Sequence, residues 1–190
     1  MSASADLPFL VIGGGIGGMA AALALGNKGF PVHVLEQAPE FGEVGAGIQL
    51  GPNVFRAFSA LGVRQEMLDI AWLPGALEMR DALTAESITR IPLGEAFRQR
   101  FGEIYAVIHR ADMHQVLMNH AGATPGVTLE TSAHLDGFTD HGDHVRVRLA
   151  DGRELRGRAL IGCDGLWSKT REYVVGDGKP VVSGHIAYRA

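Results

Sequence analysis

Apolar residues arrive along this chain in two rhythms, and each rhythm predicts an element. Phe9-Leu10-Val11-Ile12 and Val32-His33-Val34-Leu35 are short, mostly β-branched runs that read as buried strands. Between them, Met19-Ala20-Ala21-Ala22-Leu23-Ala24-Leu25 reads as a helix of small residues that stops at Gly26-Asn27. Pro52-Asn53 opens a second helix, with Val54, Ala57, Phe58 and Leu61 on one stripe and Gly62 at its end. Residues 63–70 continue as helix. From Ala76 the period falls to two: residues 77–80 and 87–91 alternate and predict a β-hairpin. Arg98 and Arg100 then lie in a polar segment that reads as an exposed loop. Tyr105-Ala106-Val107-Ile108 predicts a strand, followed by a helix from Ala111-Asp112 with Met113, Val116, Leu117 and His120 on one face.

The second half changes character. After a short strand at 126–130 come three alternating runs, 133–139, 144–149 and 154–158. Turns at Asp140-His141-Gly142-Asp143 and Asp151-Gly152 separate them, which predicts an antiparallel meander. Ala159-Leu160-Ile161-Gly162-Cys163 returns as a buried strand, a helix covers about 167–174, and 181–187 begins another strand.

The turn after the first strand carries the chemistry. Gly13, Gly15 and Gly18 form G-x-G-x-x-G between a strand and a helix. Gly13 permits the tight turn, Gly15 leaves backbone open to a pyrophosphate, and Gly18 lets the helix approach the sheet. The helix N-terminus offers unpaired N–H groups to phosphate. Glu36, at the end of the second strand, is placed to accept the hydroxyls of an adenosine ribose and to repel a 2′-phosphate. The fold class that follows is α/β, a Rossmann-like parallel sheet whose usual crossover helix is replaced by the antiparallel meander, with the start of a second sheet.

Two further stretches resist a structural reading alone. Residues 37–53 hold too many glycines for a strand or helix interior, yet carry Val44, Ile48 and Leu50. Gly45-Ala46-Gly47 would let backbone touch a flat ligand. Arg110 sits where a strand meets a helix, the ligand side of an open α/β sheet. Its guanidinium either reaches a phosphate or flavin side chain, or pairs with Asp112 or Glu43. Cys163-Asp164-Gly165-Leu166-Trp167-Ser168-Lys169-Thr170-Arg171 fits D-G-x-x-S-x-x-R, with Asp164 as an acceptor and Ser168 at a helix start.

Composition narrows the classes. The net charge of −4 and the lack of a basic run argue against nucleic acid. No apolar stretch approaches a membrane span. Met1-Ser2-Ala3-Ser4-Ala5-Asp6 has no basic n-region, so residues 9–12 read as a strand and not a signal peptide. One cysteine, Cys163, excludes an intramolecular disulfide and fits a cytoplasmic protein. His141 and His144 flank a turn without further ligands, and no metal site is expected.

On four segments the chain resembles the N-terminal half of class A FAD-dependent aromatic hydroxylases. They are Gly13-Gly14-Gly15-Ile16-Gly17-Gly18 with Glu36; residues 41–53; His109-Arg110-Ala111-Asp112-Met113-His114; and residues 164–171. Within that family it is most similar to the group of 3-hydroxybenzoate 6-hydroxylases and salicylate hydroxylases. Residues 104–119 and Ser183-Gly184-His185-Ile186-Ala187-Tyr188-Arg189 favour the former. The resemblance implies FAD as cofactor and NADH as co-substrate, with O2 used to hydroxylate a small aromatic acid. 3-Hydroxybenzoate going to 2,5-dihydroxybenzoate is favoured over salicylate, and the oligomeric state stays open, with a homodimer among the options.

It further implies that Gly13, Gly15, Ile16 and Gly18 meet the ADP pyrophosphate, and Glu36 with Gln37 the ribose. Leu135 backbone would meet adenine. Ala46 and Gly47 would line the flavin ring, Arg110 its phosphate or ribityl part, and Asp164 would support flavin and pyridine nucleotide. Residues 1–72 and 99–175 then make the FAD-binding domain, while 73–98 and 176–190 are parts of a substrate domain. The family's second Gly-Asp flavin motif is absent from this sequence, and no catalytic side chain is assigned. A plain nicotinamide dehydrogenase fits poorly with the meander and the Asp164 motif; a nucleotide-binding module without activity of its own stays open.

Overall fold

The structure is a computed structural model that describes residues 6–42 and 45–186. Its centre is a four-stranded parallel sheet. β1 (Phe9–Ile12) lies between β11 (Ala159–Gly162) and β2 (Val32–Leu35), and β7 (Val127–Glu130) closes the far side of β2. Phe9 pairs with Val32 on one side and Ala159 on the other, so neighbouring strands begin in register.

β1 is an unbroken apolar run because both of its faces are covered. Val11 points into a core with Val32, Val34, Met19, Leu23, Phe55 and Leu117. Leu10 and Ile12 point the other way, onto Leu35, Ala133, Val145, Val147 and Leu149. The first core is built by α1 (Ile16–Gly26), α2 (Pro52–Leu61), α3 (Arg64–Asp69) and α5 (Arg110–Ala123). The second is the inner face of the meander β8 (Leu135–Asp140), β9 (Val145–Leu149) and β10 (Glu154–Gly157). The meander therefore does the covering job of a crossover helix, as its alternation predicts.

Four expectations need correction. Gly47–Leu50 is a strand, β3, antiparallel to β6 (Ala106–His109). The glycines do not prevent it because Ile48 and Leu50 supply the apolar anchor and Leu50 is buried. Arg98 and Arg100 lie on a short helix, α4 (Glu95–Phe101), both in its last turn, where cations favour the helix dipole. His120 is not on the buried face of α5; that face is Met113, His114, Leu117 and Ala121, and His120 pairs with Glu66 at 3.0 Å. Residues 181–186 form no strand. Val181, Val182 and Ile186 are exposed, and an extended segment without a paired neighbour has no ladder to hold it. Ala187, Tyr188 and Arg189 lie outside the described residues. The predicted hairpin is present as β4 (Ala76–Arg80) and β5 (Ser87–Pro92), and α6 (Lys169–Val175) follows β11.

Candidate nucleotide cleft

The parallel sheet leaves a crevice beyond the carboxyl ends of its strands, between β11 and β2, with the glycine turn as its floor. Gly13 leaves β1 with φ of +102°, a conformation open to glycine and strained for other residues. A Cβ on Gly13 would also fall 2.4 Å from the Cys163 carbonyl oxygen. Gly18, one turn into α1, is tighter still: its Cβ would lie 1.9 Å from the Gly13 carbonyl oxygen. The helix can dock on the turn only because that atom is missing. Gly15 is the N-cap of α1, and no side chain caps the helix. Its first N–H groups lack intrahelical partners and face the crevice end.

Around this floor a cleft of about 290 Å³ is lined by Gly13 and Gly15, by Glu36 and Gln37, by Ala133 and Leu135 of the meander, and by Asp164 and Lys169. Four distant stretches of sequence thus meet at one place. Glu36 is anchored by its own backbone surroundings. Its Oε2 accepts from Gly14 N–H at 2.6 Å and its Oε1 from Ala38 N–H at 2.8 Å. Each carboxylate oxygen keeps a second lone pair for a ligand hydroxyl.

Asp164 organises the opposite wall. Its Oδ2 accepts from both the N–H and the hydroxyl of Thr170, each at 3.1 Å, and its Oδ1 from the Ser168 hydroxyl at 2.5 Å. Ser168 in turn caps α6 by accepting from Arg171 N–H at 2.9 Å. Arg171 does not reach the cleft but pairs with Asp177. Lys169 donates to the Leu135 carbonyl at 3.1 Å and ties this wall to the meander. Cys163 is half-buried; that burial, with the charge of Asp164 beside it, pushes the thiol above its ordinary value and keeps it protonated.

Of the residues singled out in the sequence, Gly13, Gly15, Glu36, Gln37, Leu135 and Asp164 line this cleft. Ile16 starts α1 beside it and packs into the core, and Gly18 is buried under the turn. Ala46, Gly47 and Arg110 form a second group. Arg110 N–H donates to the Ala46 carbonyl at 3.0 Å, and Gly47 pairs with His109 across β3 and β6. They do not line the cleft. The suggested partner Glu43 lies outside the described residues. No cluster of three or more His, Cys, Asp or Glu suited to a metal occurs among the described residues, and none of their helices is long and apolar enough to cross a membrane.

His114, Lys169 and Thr170 stand within motifs noted in the sequence, but the sequence alone assigns them no role. His114 had a signal: it lies three residues before Leu117 and seven before Ala121, on the buried stripe of α5.

Residues 6–179 match a family model described as an FAD binding domain. Over 186 residues the chain is 52% identical to the 3-hydroxybenzoate 6-hydroxylase of Polaromonas naphthalenivorans (strain CJ2), covering 98% of this chain and 46% of that one. It is 45% identical over 181 residues to 3-hydroxybenzoate 6-hydroxylase 1 of Aquipseudomonas alcaligenes, covering 95% and 46%. Among solved structures it is similar to Klebsiella pneumoniae HpxO complexed with FAD and uric acid, with a TM-score of 0.78 and 27% identity over 91% of this chain and 43% of that one. The chain spans about half the length of the curated relatives it matches.

Proposed function

The chain belongs to the FAD-binding domain family, and from that premise we propose that it forms the adenosine-diphosphate half of the flavin site in a monooxygenase of hydroxybenzoates. The observation that carries this reading is the single cleft in which the glycine turn, Glu36, the meander and Asp164 converge. A pyrophosphate fits over Gly15 and Ile16 at the uncapped start of α1. The ribose lies against Glu36 and Gln37, and the adenine beside Leu135 and Ala133. Asp164 stands where the chain to the flavin ring leaves the cleft, and Ala46, Gly47 and Arg110 lie on the separate β3–β6 edge for the ring end. Bound FAD supplies the redox chemistry, passing electrons from a reduced pyridine nucleotide to O2. The protein's part is to bind, to orient and to keep water away.

The reading extends to the whole reaction: 3-hydroxybenzoate hydroxylated to 2,5-dihydroxybenzoate with NADH. The two relatives named 3-hydroxybenzoate 6-hydroxylase support that choice of substrate. Residues 73–98 and 176–190 belong in this reading to a substrate domain, which accounts for the exposed apolar side chains of β4 and β5. The test is a titration of FAD and ADP onto the purified chain. Wild type binds both, while Gly15→Val loses binding and keeps its unfolding midpoint. Unchanged FAD affinity in Gly15→Val would remove the pyrophosphate from this turn.

A further inference from the structure

Gly14 is gripped on three sides. Its N–H donates to Glu36 Oε2 at 2.6 Å. Its carbonyl is 2.7 Å from Nε2 of His114, and because a carbonyl only accepts, Nε2 carries the proton and donates. Its α-carbon faces Phe41, whose ring carbon Cε1 would lie 2.5 Å from an added Cβ. His114 is 3% exposed and sits among Met113, Leu117 and Ala121 on the inner face of α5. A polar ring in such surroundings costs free energy unless its hydrogen bond is made.

The bond falls at an informative place. The Gly14–Gly15 peptide joins two glycines, so the backbone on either side of it has wide rotational freedom. The peptide is planar and trans, so its carbonyl and its N–H point in opposite directions. With the Gly14 carbonyl turned to α5, the Gly15 N–H turns to the cleft that Gly15 lines. We propose that His114 is a positioning residue for the cofactor's pyrophosphate: it holds the Gly14–Gly15 peptide in the orientation that presents Gly15 N–H to phosphate. The inference rests on the placement of the FAD adenosine diphosphate in this cleft.

The experiment compares His114→Leu, which removes the donor, with His114→Gln, whose amide nitrogen reaches about as far as Nε2. Binding of FAD, ADP and adenosine to the purified chain is measured with the unfolding midpoint of the ligand-free protein. His114→Leu weakens FAD and ADP by about tenfold or more, and His114→Gln recovers most of that loss. Adenosine, which has no phosphate, is weakened by less than about threefold in either variant. A role in the fold alone would not separate ADP from adenosine. The inference is overturned by a His114→Leu loss under about threefold for ADP, by equal losses in the Leu and Gln variants, or by equal losses for ADP and adenosine. Should the Leu variant not fold, His114→Asn, too short to reach Gly14, replaces it under the same criteria. Wild type that binds neither FAD nor ADP removes the site itself. Wild type that binds, beside an indifferent His114→Leu, removes only the role of His114.

Discussion

The glycine turn and the β4–β5 hairpin are both short, both hydrogen-bonded, and opposite in how they are held. At the turn three of the glycines are packed against neighbours. Gly13 has the Cys163 carbonyl against it, Gly18 has Gly13, and Gly14 has Phe41, Glu36 and His114. The hairpin keeps its ladder from Ala76 to Pro92, yet Met79, Leu83, Ile88 and Ile91 stand in the open. Backbone pairing alone gives at best a marginal extended shape, whereas close packing makes one position of one atom matter. Tolerance to substitution is therefore expected to differ sharply between the two.

The largest effect belongs to Gly18→Ala. One methyl group would meet the Gly13 carbonyl at 1.9 Å, and the obstacle is backbone, not a side chain that can swing away. Urea unfolding should show a loss of about 3 kcal/mol or more, together with loss of FAD binding. Recovery of wild-type binding at full stability would mean that α1 is free to shift off the turn.

A matched pair sharpens the contrast. Val34, 0% exposed on β2, and Ile88, 62% exposed on β5, can each be changed to Thr. Val34→Thr buries a hydroxyl in the apolar core and should cost about 1–3 kcal/mol. Ile88→Thr keeps a β-branched residue on an open strand and should move stability by less than about 0.5 kcal/mol. Equal costs in chemical denaturation would mean that something already covers the hairpin.

A smaller effect than that of Val34→Thr comes from charge. Arg64 at the start of α3 grips Glu103, ahead of β6, with two hydrogen bonds of 3.1 and 3.0 Å. That contact holds the Glu103 carboxyl below its ordinary value. A depressed carboxylate contributes stability that is present above its unfolded value and lost as pH falls through the folded one. Glu103→Gln should accordingly cost about 0.5–1 kcal/mol at neutral pH, and the gap from wild type should close in the acid range. A difference independent of pH would point to packing and not to charge.

The same contrast explains how much could be read in advance. Val11 between Leu10 and Ile12 announces a strand buried on both faces, and the Asp-Gly turn at 151–152 announces the meander, because those signals are local and repeat. Gly13, Glu36 and Asp164 could be placed at a common site because each ends a strand of one parallel sheet. Gly47–Leu50 escaped because glycine counts mask the two residues that anchor the strand to β6. His114 escaped because its partner is a carbonyl far away in sequence, and no periodicity reports where a carbonyl points. Residues 181–186 promised a strand on composition, but a strand exists only beside another.

The sheet order also sets a timetable. β1 leaves the ribosome well before its neighbour β11, with Phe9 waiting for Ala159. The nascent turn thus emerges with one wall and acquires the other only after the meander has been synthesised. Until then Leu10 and Ile12 lack their cover and are open to chaperones or to other nascent chains. Parallel pairing between such distant segments folds slowly, because the loop between them must close before any contact rewards it. A pulse-labelled chain released before β11 should be cut by protease throughout, including at the glycine turn, and protection should arrive in a single step once β11 is made.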